Sequence, residues 1–174
     1  MTMKIGHSDV KEMIKVRKSS LQDAKGVVAV INSVIAEGKL TVLDKSFTVQ
    51  EEVKFLASLS DREAVFVAEV GGKIVGVQTI SFYSQMDANS HVATIGTWIH
   101  KDYRSRGVGK LLAKESFTFA KEKRFEKILI YVMAHNERAL RFYESLGFKR
   151  IGTAKRQVKL RGEYHDEVYM EKFL

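Results

Sequence analysis

The stretch that most restricts how this chain can fold is Tyr103-Arg104-Ser105-Arg106-Gly107-Val108-Gly109-Lys110, because of what flanks it. His91 to Ile99 before it reads as an apolar strand, and about Gly107 to Lys123 after it as an amphipathic helix. A strand, a glycine turn and a helix in that order belong to an α/β layer arrangement. The first turn of a helix has backbone N–H groups without internal partners, and the helix dipole adds positive potential there. Gly107 and Gly109 have no Cβ to hold an anion off the main chain, and Arg104, Arg106 and Lys110 add charge. The turn reads as an anion site. The plainer alternative is a basic turn with no ligand.

Two common phosphate motifs fail against it. A P-loop needs G-x-x-x-x-G-K-[ST], but Leu111 follows Gly109-Lys110 and Arg104 stands where the first glycine should be. A dinucleotide fingerprint needs G-x-G-x-x-G, and the third glycine is absent. The pattern R-x-x-G-x-G does match, and with it the chain resembles the GNAT superfamily of N-acetyltransferases, in which this loop holds the pyrophosphate of coenzyme A. The apolar run Ile128-Leu129-Ile130-Tyr131-Val132 follows downstream. After it, Asn136 to Phe148 is similar to the family's N-x-x-A-x-x-x-Y-E-x-x-G-F block, in order and at about the usual distance. The two motifs span roughly residues 91 to 150, with weaker similarity over most of the chain.

Local physics accounts for the second block as well. Ile128 to Met133 suits a strand buried on both faces, Asn136 an N-cap, and Gly147 a helix stop. Ala139, Phe142/Tyr143 and Leu146 recur at helical spacing, so Tyr143 also fits a core position.

The resemblance implies acetyl-CoA as co-substrate, no metal, and acetyl transfer to a primary amine. It implies that backbone groups of Thr97, Trp98 and Ile99 line the pantetheine, with the Ile99 N–H as oxyanion donor. Arg104, Ser105, Arg106, Gly107, Val108, Gly109 and Lys110 are implied to hold the pyrophosphate, and Asn136 and Ala139 to contact the cofactor. Tyr143 matches the tyrosine that faces the thioester sulfur, and is implied as general acid; a phenol of pKa about 10 is protonated at neutral pH. The glutamate that many members carry on the strand before the turn is missing. His91, His100, Glu37, Asp87 and His165 are the candidate bases, and none is selected.

In this family the acceptor lies between the first two helices and the closing hairpin, here about Glu37 to Phe47 and Lys155 to Asp166. Glu37, Asp44 and Asp87 suit a cationic amine, whereas Lys39, Lys45, Lys155 and Arg156 suit a carboxylate. A small amine or amino-acid derivative is preferred. A protein N-terminus or a ribosomal protein is the alternative within the class. A non-catalytic acyl-CoA sensor and a nucleic-acid-binding module are the alternatives outside it. The resemblance also implies a tendency to form homodimers.

Composition sets limits. A chain of 174 residues, 45% hydrophobic and 29% charged, fits one soluble globular domain. No apolar run approaches the ~18 residues of a membrane span, and the N-terminus lacks a signal-peptide apolar core, so a cytoplasmic location is expected. Zero cysteines exclude disulfides, cysteine nucleophiles and thiolate metal sites. The net charge of +8 is interleaved with acids, as in Lys121-Glu122-Lys123-Arg124-Phe125-Glu126-Lys127, so nucleic-acid binding is not expected.

The remaining elements follow in order. Residues 1–15 read as an extension or short helix, and residues 16–174 as the GNAT-like domain. Val16 to Lys18 starts a strand, and Leu21 to Glu37 and Val49 to Leu59 are helical. Ala64 to Val70 and Lys73 to Tyr83 form a hairpin about Gly71-Gly72, and Ile151 to Leu160 and Glu163 to Phe173 another about Arg161-Gly162. This order gives a mixed sheet with helices on both faces. The resemblance makes the sheet central and splayed, with the cofactor in the gap.

Overall fold

Local chemistry places most element boundaries in the computed structural model, which describes residues 14–174. The extension expected over residues 1–15 therefore lies outside the described residues except at its end, where Lys15 already belongs to strand β1 (Lys15–Lys18). Ser20 and Asp23 form a capping box around a single 3₁₀ turn, Leu21–Asp23, which leads into α1 (Ala24–Ala36). A second box, Thr48 with Glu51, opens α2 (Val49–Ser58), with the Thr48 N–H donating to Glu51 Oε2 at 2.7 Å.

Strands β2 (Ala64–Val70) and β3 (Lys73–Phe82) meet at Gly71-Gly72, where both residues take positive φ, 56° and 79°, as a tight hairpin turn requires. Strand β4 (Val92–Ile99) leads through a 3₁₀ turn, Lys101–Tyr103, and the glycine turn into α3 (Val108–Glu122). Then come β5 (Lys127–Met133), α4 (Glu137–Ser145), β6 (Lys149–Leu160) and β7 (Glu163–Phe173). The first closing strand begins two residues before the expected Ile151, because Lys149 and Arg150 already pair with Glu171 and Met170.

The seven strands form one sheet in the order β1-β2-β3-β4-β5-β7-β6, antiparallel except for β4 beside β5. That parallel pair is short. Only Val92 with Lys127 and Ala93 with Ile128 are in register, and beyond them the two strands part. The expected splayed sheet is thus a property of the strand register. On one face α3 and α4 bury Val108, Leu112, Leu140 and Tyr143 against Ile95, Ile128, Ile130, Val168 and Met170. On the other, α1 buries Val27, Ile31 and Ile35 over Val65, Val67 and Val77 of β2 and β3, with Leu56 of α2 at the edge. Among the described residues no helix is long and apolar enough to cross a membrane.

Candidate active site

Hydrogen-bond parity along β4 decides what the gap offers. The Tyr83 N–H donates to the Val92 carbonyl at 3.0 Å and the His100 N–H to the Val75 carbonyl at 2.9 Å. Even-numbered residues of β4 therefore bond to β3, and the odd-numbered Ile95, Thr97 and Ile99 turn their backbone groups toward β5. Since β5 has already diverged, the Thr97 and Ile99 amides have no partner among the described residues. Trp98 does not share this role. Its amide belongs to the β3 ladder and its indole packs in the α1 cluster, so its backbone groups face β3, not the gap where the expectation put them.

The turn after β4 is built partly as expected. Gly107 has φ of +87°, the left-handed conformation that glycine adopts without strain, and a Cβ there would meet nothing within 4 Å. No side chain caps α3, so the Val108, Gly109 and Lys110 amides point out of its first turn unpaired among the described residues. Arg106 lies over the Tyr103 ring at 5.5 Å, and Lys110 is exposed. These amides and cations suit an anion.

Arg104 differs from the expectation. Its guanidinium is paired with both carboxylate oxygens of Glu37, and its Nε donates to the Ile99 carbonyl at 2.9 Å. The charge expected at the anion site is used to tie the end of α1 to the turn. The same ion pair holds the Glu37 carboxyl below the usual carboxylate range, chiefly through the Arg104 hydrogen bonds. Glu37 is thus a poor candidate base. A cation that the sequence analysis did not name stands beside the turn: Arg138 of α4 donates from Nη2 to Ser105 Oγ at 2.9 Å. Its only sequence signal was its place two residues after the Asn136 cap.

Gly109 also departs from its expected role. A Cβ on it would lie 2.9 Å from Phe142 Cζ and 3.2 Å from Ile99 Cδ1. The absent side chain makes room for the protein's own packing of α3 against α4 and β4. Asn136 is the cap it was expected to be, its Oδ1 accepting from the Ala139 N–H at 3.1 Å, while its Nδ2 donates to the Leu40 carbonyl at 3.4 Å.

Tyr143 is only 7% exposed, on the α3/α4 side of the gap. Its hydroxyl donates to Thr97 Oγ1 at 3.0 Å, and Gln78 Nε2 donates to the same oxygen at 2.7 Å. A side chain of α4 thereby reaches the splayed end of β4. Burial pushes the Tyr143 phenol above its ordinary range, only partly offset by the Thr97 hydrogen bond, so the group stays protonated throughout the neutral range. Gln78 was not anticipated. Its signal was a lone amide in the apolar strand Lys73–Phe82, fully buried, with Oε1 unpartnered among the described residues.

The other candidate bases are scattered. His91 lies at the opposite end of β4, its carbonyl accepting from the Glu126 N–H at 2.9 Å. Asp87 sits in a 3₁₀ turn before β4, and His100 Nδ1 accepts from the Asp102 N–H at 3.4 Å. Asp166 is held below the carboxylate range by the Arg156 N–H and Lys155. The His165 ring lies 5.3 Å from that of His135, whose Nε2 bonds to the Lys39 carbonyl.

Known proteins share the sequence pattern and the fold. The acetyltransferase (GNAT) family model matches residues 36–148. L-amino acid N-acetyltransferase AaaT of Escherichia coli (strain K12) is 33% identical over 115 residues, which cover 64% of this chain and 70% of that protein. Phosphinothricin N-acetyltransferase of Streptomyces viridochromogenes is 21% identical over 159 residues, 91% of this chain and 87% of that one. The yncA protein of Salmonella typhimurium, solved with its cofactor acetyl-CoA, shares the fold at a TM-score of 0.87 and 16% identity, over 93% and 94% of the two chains. The matched segment runs from the end of α1 through the splayed strands and the glycine turn to Phe148, and the chain belongs to the acetyltransferase (GNAT) family.

Proposed function

We propose that the protein acetylates the primary amine of a small amino-acid-like molecule, with acetyl-CoA as donor. The observation that carries this reading is the parted end of β4 and β5, where the Thr97 and Ile99 amides, unpaired among the described residues, lead into the uncapped α3 and Tyr143 closes the other side. That arrangement suits a long ligand with an anionic end. Support for the acceptor class comes from the relatives named for L-amino acids and for phosphinothricin.

Acetyl-CoA supplies an activated thioester. The first-turn amides Val108 to Lys110, with Arg106, Lys110 and Arg138, are the groups available to its pyrophosphate, and the Thr97 amide to its pantetheine. The Ile99 N–H is the donor available to negative charge on a carbonyl oxygen under attack. Tyr143 is the acid for the departing sulfur. Because Thr97 is a hydroxyl that accepts from Gln78, it can turn its own proton to the Tyr143 oxygen and release the phenolic proton toward the gap. Gln78 and Thr97 are then positioning residues.

A ligand that binds only the native state must raise its stability. Acetyl-CoA at a hundredfold excess over Kd is expected to add about 2.7 kcal/mol. For a chain of this length that is a rise in Tm of roughly 5–10 °C. Adenine nucleotides without pantetheine are expected to give less, since they cannot reach the Thr97 and Ile99 amides. Millimolar coenzyme A that shifts no melting curve and gives no calorimetric heat would overturn the cofactor site.

A further inference from the structure

Acyl transfer to an amine needs somewhere for the ammonium proton to go, and the carboxylates of Glu37 and of Asp166 on the closing hairpin do not provide it. Glu37 is tied to Arg104, and Asp166 to Lys155 and the Arg156 amide. A different carboxylate lies beside the gap. On β5 and β7, Tyr131 is opposite Tyr169 and Met133 opposite Glu167. Their neighbours Ile130, Val132, Val168 and Met170 pack toward α3 and α4, so strand alternation turns Tyr131, Met133, Glu167 and Tyr169 to the other face.

On that face α1 covers β2 and β3, and among the described residues no helix packs over β5 and β7. Tyr131 is accordingly 46% exposed, yet Glu167 beside it is 4% exposed. The walls are aromatic. The Tyr131 and Tyr169 rings lie 6.1 Å apart on one side of Glu167 and the His135 and His165 rings 5.3 Å apart on the other. The Glu167 charge is close enough to be felt at the Tyr131 and Tyr169 hydroxyls, where Tyr83 also contributes. Among the described residues no Lys, Arg or His forms an ion pair with Glu167, and no side-chain hydrogen bond reaches its carboxylate. Its oxygens are not among the sealed polar atoms, so the carboxylate is reachable from the surface, and a reachable carboxylate between aromatic walls is suited to an ammonium.

We propose that Glu167 receives the ammonium group of the acceptor and takes its first proton. The proposal rests on the acetyl-transfer reading above. Glu167 is one strand spacing, about 4.8 Å, from β5, which forms one lip of the gap. An ammonium N–H gives its proton to the Glu167 carboxylate, and the freed lone pair forms the N–C bond to the acyl carbon. The C–S bond breaks, and its electron pair stays on sulfur, which takes the Tyr143 proton. The second proton lost by nitrogen reprotonates Tyr143 through solvent, and Glu167 returns its own to water. One amide, one thiol and one proton result. Burial raises the Glu167 carboxyl above its ordinary range, which brings it nearer to a working base.

The test compares two acceptors of nearly equal shape. L-alanine is an ammonium at pH 7, whereas the trifluoromethyl group of trifluoroalanine leaves its amine neutral there. With Glu167→Gln, kcat/KM for L-alanine is expected to fall on the order of 10²-fold, and for trifluoroalanine by less than about threefold. Equal losses for both acceptors, or none for either, would overturn the role of Glu167 while leaving acetyl transfer standing. A wild-type enzyme inert toward both and toward a panel of the other L-amino acids and phosphinothricin would instead overturn the amino-acid acceptor and this proposal with it. If Glu167→Gln fails to fold, Glu167→Asp, which keeps the charge but withdraws it by one methylene, must show the same preferential loss for L-alanine.

Discussion

Tyr143→Phe is expected to lower kcat by roughly 10²-fold, the low end of what a positioned acid supplies, with acetyl-CoA affinity nearly unchanged. The loss belongs in kcat because the proton is required as the sulfur leaves, after both substrates are bound. The substitution also removes one buried hydrogen bond, from the Tyr143 hydroxyl to Thr97, while Gln78 still donates to Thr97 Oγ1. That costs about 1 kcal/mol, or a fall of roughly 2–4 °C in Tm at this chain length. The ring keeps its packing against Phe148, 5.4 Å away, so no cavity opens. Turnover and melting temperature measured on the same variant separate the two roles. Wild-type turnover beside a lowered Tm would leave Tyr143 a core residue and nothing more.

Gly109→Val acts in the opposite way, on the fold first. A valine places its Cβ where Phe142 Cζ is 2.9 Å and Ile99 Cδ1 is 3.2 Å distant, with two further methyl groups beyond. Both neighbours are held, Phe142 by α4 and Ile99 by β4, so the strain spreads across three elements. Overpacking of this kind costs about 3 kcal/mol, against less than about 1 kcal/mol gained from removing a helical glycine. Chemical denaturation is the appropriate measure. Phe142→Leu in the same chain withdraws the nearest atoms and is expected to restore part of the loss. A native-like melting curve with acetyl-CoA binding abolished would return the vacant space at Gly109 to the ligand.

Gly109 shows where sequence reasoning runs out. That Gly109 stands in the first turn of a helix was legible, but whether a ligand or a ring occupies the missing side chain's place depends on Phe142, 33 positions away. Arg104 has the same lesson, since its partner Glu37 lies at the end of α1, 67 positions away, and turns an expected ligand-binding cation into a structural tie. Order and type of the elements were readable because each is fixed locally: the Asn136 cap, glycine turns at 71–72 and 162, and the unbroken apolar run Ile128 to Met133 of β5. The free Ile99 amide required the register of three strands. Glu167 was overlooked because Glu163 to Phe173 alternates without any mark of which charged residue faces the cleft and which faces solvent.

The account stands most directly on the release of free thiol from acetyl-CoA, followed across a panel of amines that includes L-amino acids, polyamines and peptides with free N-termini. It predicts release that depends on the amine, saturates with a small amino-acid-like acceptor, and matches the N-acetyl product mole for mole. Release that is the same with and without amine, or no release while acetyl-CoA still raises Tm, would contradict it and leave an acyl-CoA binder without transfer.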